Sequence, residues 1–300
     1  MSINMPDCHL ENEEMEILLK NFPDGVIALD LETTGLSPLI DKIIEISAVK
    51  VTKNGIDSFN QLINPQIPIP PFTITIHGIR DDMVRNSPTI DKVLPEFMKF
   101  IGDLPLIAHN AQFDTGFIVF NLHQEKLGVT KSPIYCSCRL SRKVFNEMPN
   151  HKLATVASGL DIEIVNHHRA LDDAIASLRI YAHGLLRACD EKKQKQTKNE
   201  SHILDLSSFD MDKSFEIPDH LELLKEKVHT QEIIEIKYTG GSHKNKFRPV
   251  KALSLLPLPA GNVLYGYCFL SKLHKSFLLS KIVDWKTIST KKRIEILRKK

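Results

Sequence analysis

An apolar run from Val26 to Leu31 that ends on Glu32-Thr33-Thr34-Gly35 constrains this chain more than any other stretch, because two further strand patterns follow it at once. Lys42 to Thr52 alternates Ile and Val with polar residues, and Ile56 to Ile63 completes a three-strand meander, half of a mixed sheet. The Pro-rich stretch from Asn64-Pro65 to Pro70-Pro71 then breaks regular structure, and short helices are predicted around Thr73 and Asp81. A longer helix follows Ser87-Pro88, with Ile90, Val93, Leu94, Phe97 and Ile101 as its apolar stripe. Leu104 to Ala108 reads as a fourth, buried strand, Asp114 to Leu127 as a helix, and Ala170 to Ala188 as a second long helix with Leu171, Ile175, Leu178, Tyr181, Ala182 and Leu185 on one side. Strands interleaved with helices argue an α/β domain.

Asp190 to Ser201 has no apolar anchor and reads as a linker. Beyond it, after a helix near Pro218 to Val228, strand-like runs take over: Ile233 to Tyr238, Phe247 to Leu255, Val263 to Leu270 and Ser276 to Leu279. Gly240-Gly241 and Ala260-Gly261-Asn262 supply turns. The expected organisation is an N-terminal helical extension (1–22), an α/β domain (23–189), a linker (190–215), a small mainly β domain (216–288) and a basic tail (289–300).

Charge separates along the same boundary. From Lys237 onward fifteen Lys and Arg face two Asp and Glu, net +13, while the remainder carries net −11. An acidic half suits cation binding and a basic half suits a polyanion, although part of the excess, Lys291 to Lys300, also reads as a solvated tail. No apolar run approaches the ~18 residues of a membrane span. The acidic N-terminus, with Asp7, Glu11, Glu13, Glu14 and Glu16, is no secretory signal, so a cytoplasmic, non-membrane protein is expected. Five scattered cysteines, with Cys136-Ser137-Cys138 as the one close pair, read as free thiols in a reducing compartment rather than as a zinc site.

Three acidic elements stand out. Asp30 and Glu32, two apart at a strand end, send both carboxylates to one face. Asp114 follows His109-Asn110-Ala111-Gln112-Phe113 in the first turn of a helix, where the helix dipole favours an acid in any case. Asp173 lies one turn into the long helix after His168-Arg169-Ala170-Leu171-Asp172, and the adjacent Asp172 points about 100° away from it. Each alone has an ordinary explanation as a strand end or a helix start.

Together and in this order, over about Gly25 to Leu186, they resemble the DEDDh class of 3′-to-5′ exonucleases, the family of the epsilon proofreading subunit of bacterial DNA polymerase III. The carriers are Leu29-Asp30-Leu31-Glu32-Thr33-Thr34-Gly35-Leu36, His109 to Asp114 and His168 to Ala174, with Ile76-His77-Gly78-Ile79 and His151-Lys152-Leu153 in support. One departure is visible: Cys136-Ser137-Cys138 replaces an Asp-Thr that often precedes Arg-Leu. The resemblance implies an RNase H-like mixed-sheet domain with Asp30, Glu32, Asp114 and Asp173 as ligands of two Mg²⁺ or Mn²⁺ ions. These would sit ~3.5 to 4 Å apart, polarising a scissile phosphate and activating water.

It further implies His168 as general base, mostly neutral at an ordinary pKa of about 6.5. Backbone around Thr33 and Thr34 would hold a terminal 3′-hydroxyl, Gly35 would let the backbone come close to substrate, Leu36 and His77 would touch the last bases, and Asn110 would shape the site. The expected activity is hydrolysis of single-stranded DNA 3′ ends to nucleoside 5′-monophosphates, with a DNA polymerase or repair complex as partner. An exoribonuclease and a catalytically silent nucleic-acid sensor are the alternatives.

The C-terminal region, about Glu216 to Asp284, is similar to a WYL domain through Ile236-Lys237-Tyr238, Gly240-Gly241, Arg248-Pro249-Val250, Tyr265-Gly266-Tyr267-Cys268 and Phe277 to Ile282. Val263-Leu264-Tyr265 stands where that family has Trp-Tyr-Leu. The likeness implies an SH3-like β fold binding nucleic acid or another ligand, with Tyr238, Lys246, Arg248, Tyr267, Lys272 and Lys275 as accessory nucleic-acid residues, although such aromatics also serve as core.

Overall fold

The computed structural model describes residues 10–164, 169–209, 217–241 and 243–298. In chain order the elements are α1 (Asn12–Asn21), β1 (Val26–Thr33), β2 (Ile43–Thr52), β3 (Gly55–Leu62), α2 (Pro71–His77), α3 (Asp81–Val84), α4 (Ile90–Ile101), β4 (Leu106–Ala108), α5 (Gln112–Gln124), β5 (Pro133–Cys136), α6 (Ser137–Val144), α7 (Leu153–Gly159), α8 (Ala170–Leu186), α9 (Glu191–Ser201) and β6 (His202–Asp205). Then come α10 (Leu224–His229), β7 (Ile233–Tyr238), β8 (Phe247–Leu256), β9 (Val263–Cys268), β10 (Leu273–Leu278), β11 (Ile282–Thr287) and α11 (Thr290–Arg298).

Two compact units result. One takes Met1–Thr34, Ile43–Thr115 and Glu125–Ser207; the other takes Gly35–Lys42, Gly116–Gln124 and Ser208–Lys300.

The first unit is built on a six-stranded sheet in the order β3-β2-β1-β4-β5-β6. It is mixed: β1 runs antiparallel to β2 and parallel to β4, β4 is parallel to β5, and β6 returns antiparallel. β1 and β2 are buried almost throughout, as continuous apolar runs covered on both faces must be, whereas the edge strand β3 is half-exposed with polar alternation. α8 is buried on most of its circumference; the half-exposed row Asp172, Ile175, Arg179, His183 is its outer stripe. Gly184 allows α6 to approach, since a Cβ there would lie 2.1 Å from a Leu140 methyl. On the outer stripe Arg179 and His183 both reach the buried Glu14 of α1 at 2.9 and 3.1 Å. α4 buries the expected Val93, Leu94, Phe97 and Ile101, and its N-cap is Thr89.

Residues 191–201, read from composition as linker, are the helix α9, and β6 extends the first sheet. The cause is local and tertiary: Asp190 caps the helix by accepting from the Lys193 amide at 2.8 Å, and Ser201 meets the buried Tyr181 hydroxyl at 2.7 Å. Lys198 also lies 4.1 Å over the Phe22 ring. Such anchors are polar or cationic and leave no apolar periodicity.

The second unit holds a five-stranded antiparallel sheet, β10-β9-β8-β7-β11, over a core of Leu221, Leu224, Ile234, Ile236, Val250, Leu255, Leu264 and Phe277. Leu39 and Ile40, from the segment Gly35–Lys42, pack against this core. Of the expected basic tail, Thr290–Arg298 form α11, with no buried residue. Among the described cysteines Cys136, Cys138 and Cys268 are buried and free, while Cys189 is exposed. Among the described residues no helix is long and apolar enough to cross a membrane.

Candidate active site

β1 occupies the middle of the first sheet, and its period of two puts Asp30 and Glu32 on one face. Because β4 runs parallel to it, the end of β4 emerges beside the end of β1. From Ala108 the chain turns through Asn110, which takes a left-handed φ of 64° that Asn tolerates. It then enters α5 with Asp114 in the first turn. α8 brings Asp173 in its own first turn. Ligand oxygens of Asp30, Glu32 and Asp173 lie within 4.8 Å of one another, a spacing at which one cation can be shared. Asp114 is outside that trio; its charge is nonetheless felt by both Asp30 and Glu32, and its carboxylate accepts from its own amide and from that of Leu31.

The electrostatics are those of acids forced together. Burial raises the Asp30 carboxyl well above its ordinary range, reinforced by Asp114, Asp173, Glu32 and Glu45. Glu32 is pushed up to about 9 by burial and then by Asp173, Glu45 and Asp114, with Arg169 opposing. Asp114 is pushed up to about 8 by burial, against its backbone hydrogen bonds. All-oxygen donors that repel one another fit a hard divalent cation, which neutralises them without protons.

Glu45 was not singled out from sequence, because it lies inside the apolar pattern of β2 with no motif around it. It is the direct cross-strand partner of Glu32. Two carboxylates so opposed repel. Arg169 answers the second one, donating from Nη2 to Glu45 Oε1 at 2.8 Å and from Nε to Oε2 at 3.4 Å, while the Ala170 amide donates to Oε2 at 3.2 Å. Glu45 thereby fixes the entry of α8, three residues before Asp173. His168, the expected base, lies outside the described residues.

The remaining expected residues divide. Thr33 and Thr34 are buried at the end of β1, where a bulge between Glu32 and Thr33 interrupts pairing with β2. Gly35 serves close approach rather than an unusual backbone angle: a Cβ there would lie 2.4 Å from the Asp41 carboxylate. Leu36 is 47% exposed and Asn110 is also exposed. His77 is buried at the end of α2, with Nδ1 accepting from the Ile79 amide at 3.0 Å. His109 is not a base. Its Nε2 donates to the His151 carbonyl at 2.9 Å and its Nδ1 meets the Ser137 hydroxyl at 2.8 Å, and burial holds its pKa down at about 4. It ties the end of β4 to α6.

On the second sheet, Arg248 corrects the expectation of an accessible cation. It is buried, its guanidinium over the Tyr238 and Phe277 rings at 5.6 and 5.7 Å, and it donates to the His243 carbonyl at 2.9 Å. Tyr238 packs edge-on to Phe277. By contrast Lys246 and Lys272 are exposed, Lys275 is half-buried, and Tyr267 stands half-buried on a face shared with Tyr265 and the exposed His274. The Tyr265–His274 stack, with rings 5.8 Å apart, carries no sequence signal until cross-strand register aligns it.

Residues 27–181 match the family model described as exonuclease. The chain is 44% identical over 153 residues to a PolC-type DNA polymerase III of Halalkalibacterium halodurans, covering 50% of this chain and 11% of that protein. It is 36% identical over 270 residues to the PolC-type polymerase of Clostridium perfringens, covering 87% of this chain and 18% of that one. The chain thus spans about a tenth to a fifth of the length of these relatives. Among solved structures, exonuclease I shares the fold at a TM-score of 0.51 and 12% identity, covering 82% of this chain and 55% of the other.

Proposed function

This chain belongs to the exonuclease family; from that premise we propose that it is a 3′-to-5′ exonuclease that hydrolyses the last phosphodiester of single-stranded DNA 3′ ends and releases nucleoside 5′-monophosphates. The observation that carries this reading is the trio Asp30, Glu32 and Asp173 within 4.8 Å, with Asp114 electrostatically coupled to it. These four carboxylates would hold two divalent cations, Mg²⁺ or Mn²⁺, through their oxygens. Such ions, when bound, supply Lewis-acid polarisation of the phosphate and a more acidic water.

The chain's own groups do the rest. His168 accepts the proton of the attacking water as the new oxygen–phosphorus bond forms and the bond to the departing 3′-oxygen breaks. Glu45 and Arg169 fix the entry of α8, which carries Asp173. Backbone at Thr33 and Thr34 holds the terminal 3′-hydroxyl, Gly35 keeps the approach open, and Leu36, His77 and Asn110 line the terminal nucleotides.

The second unit is read as a WYL-like, SH3-like accessory domain that binds single-stranded nucleic acid. Tyr267 with its neighbours Tyr265 and His274 would stack bases, and Lys246, Lys272 and Lys275 would meet phosphates. Similarity to PolC-type DNA polymerases supports DNA as substrate and a DNA polymerase as partner. The test is degradation of 3′-labelled single-stranded DNA, mismatched duplex DNA and RNA, with Mg²⁺ and with EDTA. Metal-dependent loss of single nucleotides from DNA is expected; preferential loss from RNA would move the substrate to RNA, and no loss from any would overturn the reading.

A further inference from the structure

The segment Gly35–Lys42 follows β1 with Thr34 alone between them and belongs to the same compact unit as the C-terminal sheet. It is a closed loop. Asp41 accepts the Ser37 amide at 2.8 Å, and the Ile40 and Asp41 amides both return to the Ser37 carbonyl at 2.9 and 2.7 Å. A loop so closed moves as one piece, and strand β8 holds it. The buried Ser37 hydroxyl donates to the Leu255 carbonyl at 3.0 Å and accepts from the Leu255 amide at 3.0 Å, imitating a rung of a β ladder with a side chain. The buried Ser254 hydroxyl donates to the Leu36 carbonyl at 2.6 Å.

A bulge makes this possible. The register of β8 with β9 shifts between Ala252 and Ser254, and the strand continues buried through Leu255 and Leu256. Gly116 of α5 completes the contact: a Cβ there would lie 3.5 Å from Leu256 and Pro257 and 3.6 Å from Pro38. Leu39 and Ile40 anchor the far side of the loop in the core of this unit. Of the loop's apolar side chains, Leu36 is the one left 47% exposed, while its carbonyl is the atom that Ser254 grips.

We propose that Ser254 and Ser37 are positioning residues for substrate, through which the C-terminal sheet sets the attitude of Leu36. This rests on the exonuclease reading, in which Leu36 touches the terminal bases. The C-terminal domain then acts on binding of the 3′ end even where its own surface meets no nucleotide.

The test uses the full chain and single-stranded DNA. Ser254→Ala is expected to raise KM about five- to tenfold, the factor carried by one ordinary hydrogen bond, with kcat and Mn²⁺ affinity within about twofold. Ser254→Thr, which keeps the hydroxyl, restores KM. Leu36→Ala raises KM comparably, and Ser254→Ala combined with Leu36→Ala raises it no further, because one acts through the other. Ser37→Ala, expected to give the same KM-only shift, serves if Ser254→Ala does not fold. An unchanged KM, a fall in kcat alone, or additive effects of Ser254 and Leu36 would overturn the inference while leaving an active wild type. A wild type inactive on every 3′ end would instead remove the exonuclease reading itself.

Discussion

Glu45, 1% exposed and directly opposite Glu32 in the sheet, is held at both carboxylate oxygens by the Nε and Nη2 edge of the Arg169 guanidinium. The pair turns a like-charge clash between two strands into the fastening of α8. Its two halves are not equivalent. Arg169→Ala strands a buried anion against the metal-site acids, whereas Glu45→Gln leaves a half-exposed cation that water can solvate. Because the arginine is partly exposed, the loss in the first case is set at about 2 kcal/mol and in the second at about 1 kcal/mol. Urea unfolding at neutral pH should therefore rank Arg169→Ala below Glu45→Gln, with the double variant better than the sum; the reverse ranking would mean that the pair does not serve to quench Glu45.

Burial, with the neighbouring acids, pushes Glu32 up to about 9, and burial pushes Asp114 up to about 8, above the 4.5 and 3.8 of unperturbed side chains. A raised pKa favours the folded state while the group is protonated. That stability is complete below the unperturbed values and drains as pH climbs through 8 and 9. In EDTA the melting temperature is expected to fall from about pH 5 to about pH 9, and Mg²⁺ or Mn²⁺ should flatten the slope by taking the place of the protons. Calorimetric scans across pH check this, and a metal-free profile that rises with pH would contradict it.

Removing one acid should uncouple stability from activity. Asp30→Asn is expected to abolish hydrolysis yet raise the melting temperature in EDTA above that of wild type near pH 8, since a repelling charge has gone. A variant that is both active and no more stable would show that Asp30 neither binds metal nor feels its neighbours.

How far the site could be read from sequence depends on what kind of pattern each part leaves. Asp30, Glu32, Asp114 and Asp173 stand out in the sequence only together, through the order of motifs that resembles the DEDDh class; among the described residues Asp30, Glu32 and Asp173 come within 4.8 Å of one another. Glu45 was invisible inside an apolar strand, since its importance comes from cross-strand register and from an arginine 124 positions away. β5 and β6 were missed because four-residue strands are too short to show alternation, and β11 because its buried residues do not follow a clean period of two. Arg248 looked like a surface cation; only the fold reveals that Tyr238 and Phe277 enclose it.

His168→Ala is expected to slow turnover by ~10² or more with little change in KM, as the loss of a general base does. Steady-state rates between pH 6 and 9 on single-stranded DNA would read this out, and a rate within about twofold of wild type would assign the base elsewhere.

Exposed lysines of the second sheet carry a salt-dependent prediction. Lys246→Gln and Lys272→Gln should each weaken single-strand binding and reduce the slope of log affinity against log salt by ~0.7, the value for one phosphate contact on a single strand. Arg248→Gln should instead unsettle the fold of the second unit. Identical salt slopes in wild type and both lysine variants would rule out phosphate contacts at these positions.

The convergence of carboxylates from β1, α5 and α8 is tested most directly by calorimetric titration of Mn²⁺ into the wild type and into Asp30→Asn combined with Asp173→Asn, at neutral pH in the absence of nucleic acid. Saturable binding with proton release is expected for the wild type, and none for the double variant. A wild type that takes up no Mn²⁺, or a variant that binds it equally well, would contradict a metal centre built from these residues.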